Sequence, residues 1–346
     1  MIRDAHIVVP TDRFDDDLMA LTSELGFRID AIYPADTPST AIVSGHGVRL
    51  RLERSVVGHP VTIHLLSDDP GSSADLPGGS HIERKPLTTT YALPDNQPAL
   101  VISYNDGETG VGRAGMRYRD LIPGRWGGRF IASHITIPEG GPVPDYVHFH
   151  KVRFQMIFVK SGWVRLVYED QGDPFVMVAG DCVLQPPEIR HRVLESSAGL
   201  EVIEIGCPAL HETIADWECP LPTGVVDPDR SFHGQRFVRH IASQASYHAW
   251  RIDGWECRDT GLGAATNGLA GARIARPAGA PDERLIAHDT EFAQLVVLDG
   301  QVTFEVDGHD LVVLHDGDSV AIPGGLPYRL TAPSADAEVL DVTLPA

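Results

Sequence analysis

His148-Phe149-His150, with Gln155 five residues further on and then Gly162, Gly180, Pro186 and His191, is the stretch on which the reading of this chain turns. On a β-strand, residues two apart point to one face, so His148 and His150 present both imidazoles to the same side. Gly162 and Gly180 fall where tight turns are expected. The run Asp181-Cys182-Val183-Leu184 reads as a strand, and His191 follows it after Pro186. At these spacings three imidazoles and one amide can converge, from two neighbouring strand pairs, on a single metal ion.

This arrangement resembles the cupin superfamily, whose first motif reads G-x5-H-x-H-x3,4-E-x6-G and whose second reads G-x5-P-x-G-x2-H. Here the first runs from Gly141 through His148, His150 and Gln155 to Gly162, with one extra residue after the first glycine. The second runs Gly180, Pro186, Glu188 where glycine is usual, and His191. The resemblance implies that His148, His150, Gln155 and His191 take the four metal-ligand positions, with Gln155 replacing the usual glutamate.

A weaker second copy follows. Gly279, His288, Gly300, Gly317 and Pro323 repeat nearly the same spacing, and His288 follows His150 by 138 residues, as Gly300 follows Gly162. Upstream, Arg119-Asp120 is echoed by Arg258-Asp259. Repetition at this period implies two copies of one domain. The ligands have decayed in the second: Ile286 stands where His148 would, Ala293 where Gln155 would, and Tyr328 where His191 would. The resemblance, over roughly residues 100–346, is to a bicupin with metal in the first barrel and none in the second.

At 346 residues the chain is long enough for two or three domains with proper cores. Its 28 Lys+Arg against 48 Asp+Glu give a net charge of −20, which makes nucleic acid and anionic membranes poor partners. No apolar stretch approaches the roughly 20 residues of a membrane span. The N-terminus lacks the basic and apolar regions of a signal peptide, so a cytoplasmic location is expected. Cys182, Cys207, Cys219 and Cys257 form no C-x-x-C pair and read as small hydrophobes in a reducing compartment.

Residues 1–66 read as a separate α+β module. A strand from Ile2 to Val9 ends at Pro10, and Phe14, Leu18, Leu21 and Leu25 then mark one face of a helix that Gly26 closes. Strands over Phe27–Tyr33, Thr40–Ser44, Val48–Arg54 and Val61–Leu66 follow. The β-α-β-β-β order is similar to one vicinal-oxygen-chelate (glyoxalase-like) module, a resemblance that places His6 near a ligand position and makes Glu53 a second candidate. Dimerisation or covering part of the barrel is the blander role. Residues 67–99, polar and broken by Pro and Gly, read as a linker, and 208–250 as a connection with a helix-like segment from Leu210 to Trp217. The fold class expected is therefore mainly β: two cupin (double-stranded β-helix or jelly-roll) barrels at 100–207 and 251–346, plus the small N-terminal α+β (βαβββ) module.

Three neutral imidazoles and a neutral amide would leave a divalent ion its full charge, favouring an anionic chelating substrate. Arg113, Arg117, Arg119, Arg125, Arg129, Arg153, Arg165, Arg190 and Arg192 cluster around the motif. Arginine binds carboxylates bidentately, so Arg129, Arg153 and Arg165 are candidate substrate anchors, with surface ion pairing as the alternative for each. Tyr118, Trp163, Tyr104 and Trp126 are candidate mouth residues, and Glu188 a candidate general acid/base. The resemblance implies a divalent transition metal, Fe(II) first and Mn, Ni or Zn after it. The expected activity is that of a non-haem Fe(II) dioxygenase on a small enolisable or hydroxylated aromatic substrate. A redox-neutral lyase or isomerase and a non-catalytic binding bicupin are the alternatives. A small-molecule substrate and a homodimer are the expected partners.

Overall fold

Alternating and β-branched apolar residues make strands of most of this chain in the computed structural model, which describes residues 5–34, 37–54, 58–68, 73–87, 91–107, 109–112, 115–280, 284–306 and 310–345. The chain divides into two compact units, residues 1–89 and 90–346. Arg113, Asp307 and the first residues of the strand expected from Ile2 lie outside the described residues.

In the smaller unit a four-stranded sheet runs in the order Ile7–Thr11, Val48–Arg54, Thr40–Gly45, Arg28–Tyr33, the first pair parallel. Helix Phe14–Met19, continued by a π-helical turn Ala20–Glu24, lays Phe14 and Leu21 against Val9, Leu50 and Leu52 in one core. Residues 67–99, expected to be a linker, hold strands Ala74–Asp75 and His81–Pro86, which form a second sheet with Thr62–Ser67. Leu76 and Ile82 bury into the same core, which is why the unit extends past residue 66. Polar composition hid these strands because only alternate residues face inward.

The larger unit is built from two barrels. The first pairs a seven-stranded sheet, in the order Val238–His240, Cys182–Leu184, Phe154–Ser161, Leu200–Cys207, Ile131–Ile137, Arg117–Asp120, Gly110–Val111, with a sheet that includes Trp163–Tyr168, His191–Ser196, His148–His150 and Thr213–Ala215. In the second, Trp255–Asp259, Gly271–Pro277, Glu338–Leu344, Phe292–Asp299 and Ser319–Ala321 face a three-stranded sheet of Val312–His315, Gln301–Val306 and Tyr328–Thr331. The barrels exchange edges. Strand Val101–Ser103 pairs with Ser319–Ala321 of the second barrel, while Val238–His240 pairs with Cys182–Leu184 of the first.

A core shared by both barrels joins them. Phe130 stacks on Phe292 with centroids 4.2 Å apart, and Trp126 meets both rings edge-on. Such aromatic pairs add about 1 kcal/mol each beyond their area burial. The segment expected to be helical from Leu210 to Trp217 instead contains strand Thr213–Ala215, antiparallel to His148–His150. Both end residues of the helical pattern face solvent, Leu210 at 88% and Trp217 at 77% exposure, so nothing rewards a helix there.

Candidate metal centre

Strand pairing sets the histidines. His148 stands directly opposite His191 in antiparallel register, and His150 shares the face of His148. The ring centroids are 4.3 Å apart for His148 and His191, 5.1 Å for His148 and His150, and 5.2 Å for His150 and His191. One nitrogen from each ring lies within 4.8 Å of the other two. The turn before His191 is tied down where the Glu188 amide donates to the His150 carbonyl at 3.0 Å. Gly162 keeps the preceding hairpin tight, since its φ is +79° and a Cβ there would lie 2.3 Å from Ser197 Oγ.

The other ring nitrogens are already engaged. His148 Nδ1 lies 2.7 Å from the Tyr146 carbonyl and 3.6 Å from Asp145, and His191 Nδ1 lies 3.0 Å from the Ile189 carbonyl. A carbonyl only accepts, so both Nδ1 atoms carry the proton and both Nε2 atoms present lone pairs. His150 Nδ1 lies 3.0 Å from the Thr213 hydroxyl. Neutral imidazoles held this way fit a divalent transition ion, and the outer partners fix their orientation.

Gln155 is 1% exposed and its amide has a fixed sense. Its Nε2 donates to Glu204 at 2.5 Å, and its Oε1 accepts from Gln185 Nε2 at 3.3 Å. The buried Tyr168 hydroxyl donates to Gln185 Oε1 at 2.8 Å, which turns the Gln185 amide nitrogen towards His191 Nε2, 3.3 Å away. Burial pushes the Tyr168 hydroxyl well above its ordinary pKa, so it remains a donor.

These groups line a cavity of about 370 Å³, within the range of small-ligand sites. Its walls are apolar (Ile131, Ile135, Ile137, Val164, Leu166 and Val202 among them). Leu210, His211 and Thr213 join them from the segment read as a connection. Among the described residues that line the cavity, Glu204 is the one carboxylate, and none is lysine or arginine. The four expected ligands are neutral groups, and a carboxylate, Glu204, stands beside Gln155 on the next strand.

Of the expected substrate residues, Tyr118 lines the cavity. Arg129 and Arg153 instead pair with Glu291 of the second barrel at 2.6 and 2.9 Å, and Arg165 lies 3.5 Å from Glu195. Trp163 is outside the lining, its amide bonded to Ser197 Oγ at 3.0 Å. Arg119 donates to the Gly317 carbonyl at 2.6 Å, Arg125 lies 3.1 Å from Asp120, and Arg190 lies 3.0 Å from Asp216. Trp126 is core, and Tyr104 is half exposed. Glu188 faces His233 at 3.5 Å and is not in the lining; its φ of +64° accounts for the glycine usual at this position. In the smaller unit, Pro10 stands opposite Glu53. His6 therefore lies about 13 Å along the sheet from Glu53, and Glu53 accepts from Arg51. Asp145, Tyr168, Glu204, His211 and Thr213 are the site residues that sequence reading passed over. Glu204 alone left a trace, as a charge inside the run Val202-Ile203-Glu204-Ile205.

The second barrel repeats the geometry without the ligands. Ile286 pairs with Tyr328 as His148 pairs with His191. The space is filled by the buried Asp341, which accepts hydrogen bonds from Arg251 and from Trp250 Nε1, while Arg251 also donates to the Tyr328 hydroxyl at 3.0 Å. His288 lies 3.1 Å from the Ile322 carbonyl and 2.7 Å from Thr290 Oγ1, and burial lowers its pKa.

Residues 273–343 match the family model described as the cupin domain, a match that falls on this ligand-poor barrel. No curated protein matches the chain. Among solved structures, protein Ylba from E. coli superposes with a TM-score of 0.52 at 13% identity, covering 75% of this chain and 96% of that one. Salicylate 1,2-dioxygenase from Pseudaminobacter salicylatoxidans gives 0.52 at 17%, covering 75% and 89%. A deletion mutant of Bacillus subtilis oxalate decarboxylase OxdC gives 0.51 at 15%, covering 75% and 80%. At such identities the likeness shows the fold. The chain carries a cupin domain and is mainly β, with cupin-like neighbours over three quarters of its length.

Proposed function

We propose that this chain is a bicupin enzyme whose first barrel holds one divalent metal ion through His148, His150 and His191, with Gln155 completing the set. The observation that carries this reading is the convergence of three oriented imidazoles on the floor of an apolar cavity. Within that reading the reaction is that of a non-haem Fe(II) dioxygenase acting on a small enolisable or hydroxylated aromatic substrate. Two of the structural neighbours are salicylate 1,2-dioxygenase and a mutant of oxalate decarboxylase, so the fold hosts such chemistry elsewhere.

A bound ion would supply Lewis acidity and, if it is iron, an exchange of electrons between substrate and O2. The protein's own part is orientation and exclusion of water. Asp145, Tyr146 and Ile189 hold the Nδ1 edges of two imidazoles, Tyr168 and Gln185 fix the sense of the Gln155 amide, and the isoleucine walls keep bulk water from the head of the substrate. The smaller unit, with its βαβββ order, fits one glyoxalase-like module with a part in dimerisation.

Elemental analysis of protein purified without chelators, beside a His191→Ala variant, tests the site. One ion per chain is expected in the parent, and under about a tenth of that in the variant. Oxygen uptake with a diketone or a catechol then tests the reaction. Full turnover without O2 would replace the dioxygenase by a lyase or isomerase, and no metal after reconstitution would leave a binding protein.

A further inference from the structure

Strand register sorts the lining of the first barrel's cavity by depth. Gln155 and Ile131 share the rung of Gly206, and Ile157 and Ser133 share that of Glu204. Ile135 then stands opposite Val202, and Ile137 opposite Leu200. In the facing sheet His191 stands opposite Tyr168, and Val193 opposite Leu166 two residues further on. Polar side chains therefore gather at the histidine end. Beyond Ser133 and Glu204 the described walls are Val202, Ile135, Leu200 and Ile137, with Val164 across from them. Tyr118, opposite Ile135, adds a ring there, and its hydroxyl donates to Met116 Sδ at 3.6 Å. The cavity meets solvent beside the histidines, where the exposed Leu210 lines it three residues before Thr213, the partner of His150. At the other end Leu200, Val164 and Ile135 are buried.

We propose that this barrel takes an amphiphilic substrate: a small chelating head held at the three imidazoles, and an alkyl or aryl tail that runs inward past Val202 and Ile135 to Leu200 and Ile137. The proposal rests on the reading of the first barrel as a metal-dependent site and adds the chemical class of the substrate's body. Its physical basis is apolar area. Each methylene moved from water onto these walls should raise affinity about threefold to fourfold. A polar tail of the same size would give up its hydrogen bonds to water against side chains that return none. The tail points inward because the open end lies beside the histidines. Its room is finite, since the run from the rung of Glu204 to that of Leu200 is four residues, about 13 Å along the strand. A bulkier side chain halfway along that run, at Val202, should shorten the tail the cavity accepts.

The test is a ladder of one head with growing tails, catechol, 4-ethylcatechol, 4-butylcatechol and 4-hexylcatechol, titrated calorimetrically into the full, metal-reconstituted chain. Affinity is expected to rise about threefold or more with each methylene. Val202→Phe should lower the ratio of hexylcatechol to catechol affinity by about tenfold or more. Val202→Thr, which keeps the shape and adds a hydroxyl, should lower the same ratio about threefold and serves where the phenylalanine is not accommodated. Metal content and melting temperature are followed in each variant. A ladder flat to within about twofold from catechol to hexylcatechol overturns the proposal. So does a ratio that stays at the parent's value in a folded, metal-loaded variant, and so does a parent that binds none of the probes. If the parent holds no metal after reconstitution, the metal-site reading fails by that measurement alone, and the ladder read on the metal-free chain still decides whether the cavity takes an apolar tail.

Discussion

Glu204 and Asp341 occupy one rung of two related barrels, yet one is bonded to a glutamine amide beside three imidazoles and the other to an arginine in a filled core. In the second barrel Arg251, Asp341 and Tyr328 are bonded to one another and packed together, with Tyr328 where His191 stands in the first.

Arg251→Met should destabilise the larger unit by about 3 kcal/mol, because it leaves a buried carboxylate without its counter-charge. Burial works against the guanidinium's charge, but Asp341 outweighs it and the Arg251 pKa is raised. The double change Arg251→Met with Asp341→Leu should recover most of the loss. Urea unfolding of the parent and both variants reads this, and a double variant no better than the single one would mean that packing rather than charge holds the site.

Tyr168→Phe removes the donor that fixes the Gln185 amide. The change is nearly isosteric, so the fold should persist, while metal affinity measured by competition with a chelator should fall by about tenfold. Unchanged affinity would show that Gln185 is held by its other contacts.

Acid should loosen the larger unit through Glu201. His134, first, and Lys160 draw its carboxyl down to about 2. A depressed carboxyl stabilises the fold fully above its unfolded value of about 4.5 and loses that contribution as pH falls through its folded value. Melting temperature should therefore decline between about pH 4.5 and 2, and Glu201→Gln should flatten that part of the profile. An identical acid limb in the variant would remove Glu201 from the account.

Glu188→Gly places the usual residue at a φ of +64°. Stability should rise by up to about 1 kcal/mol, with turnover unaltered, because Glu188 faces His233 rather than the cavity. A drop in turnover with retained metal would return Glu188 to the list of acid/base candidates.

The histidine geometry was legible because a period of two along a strand fixes the face of His148 and His150 without any knowledge of partners. What escaped was whatever depends on register. Nothing local tells that Glu204 lies beside Gln155, or that Arg129 meets Glu291, 162 residues away. The spacing of Leu210, Ile214 and Trp217 imitates a helix face, and only the open edge of His148–His150, which takes Thr213–Ala215 as its neighbour, explains the strand. Polarity misled at residues 67–99, where Leu76 and Ile82 are enough to anchor a small sheet.

The crossed edges, Val101–Ser103 on the second barrel and Val238–His240 on the first, mean that neither half is complete by itself. A fragment ending at residue 207 would leave one seam open and carry away the strand that closes its twin. The two halves are stitched like a button through its own cloth, each closed by a strand the other supplies.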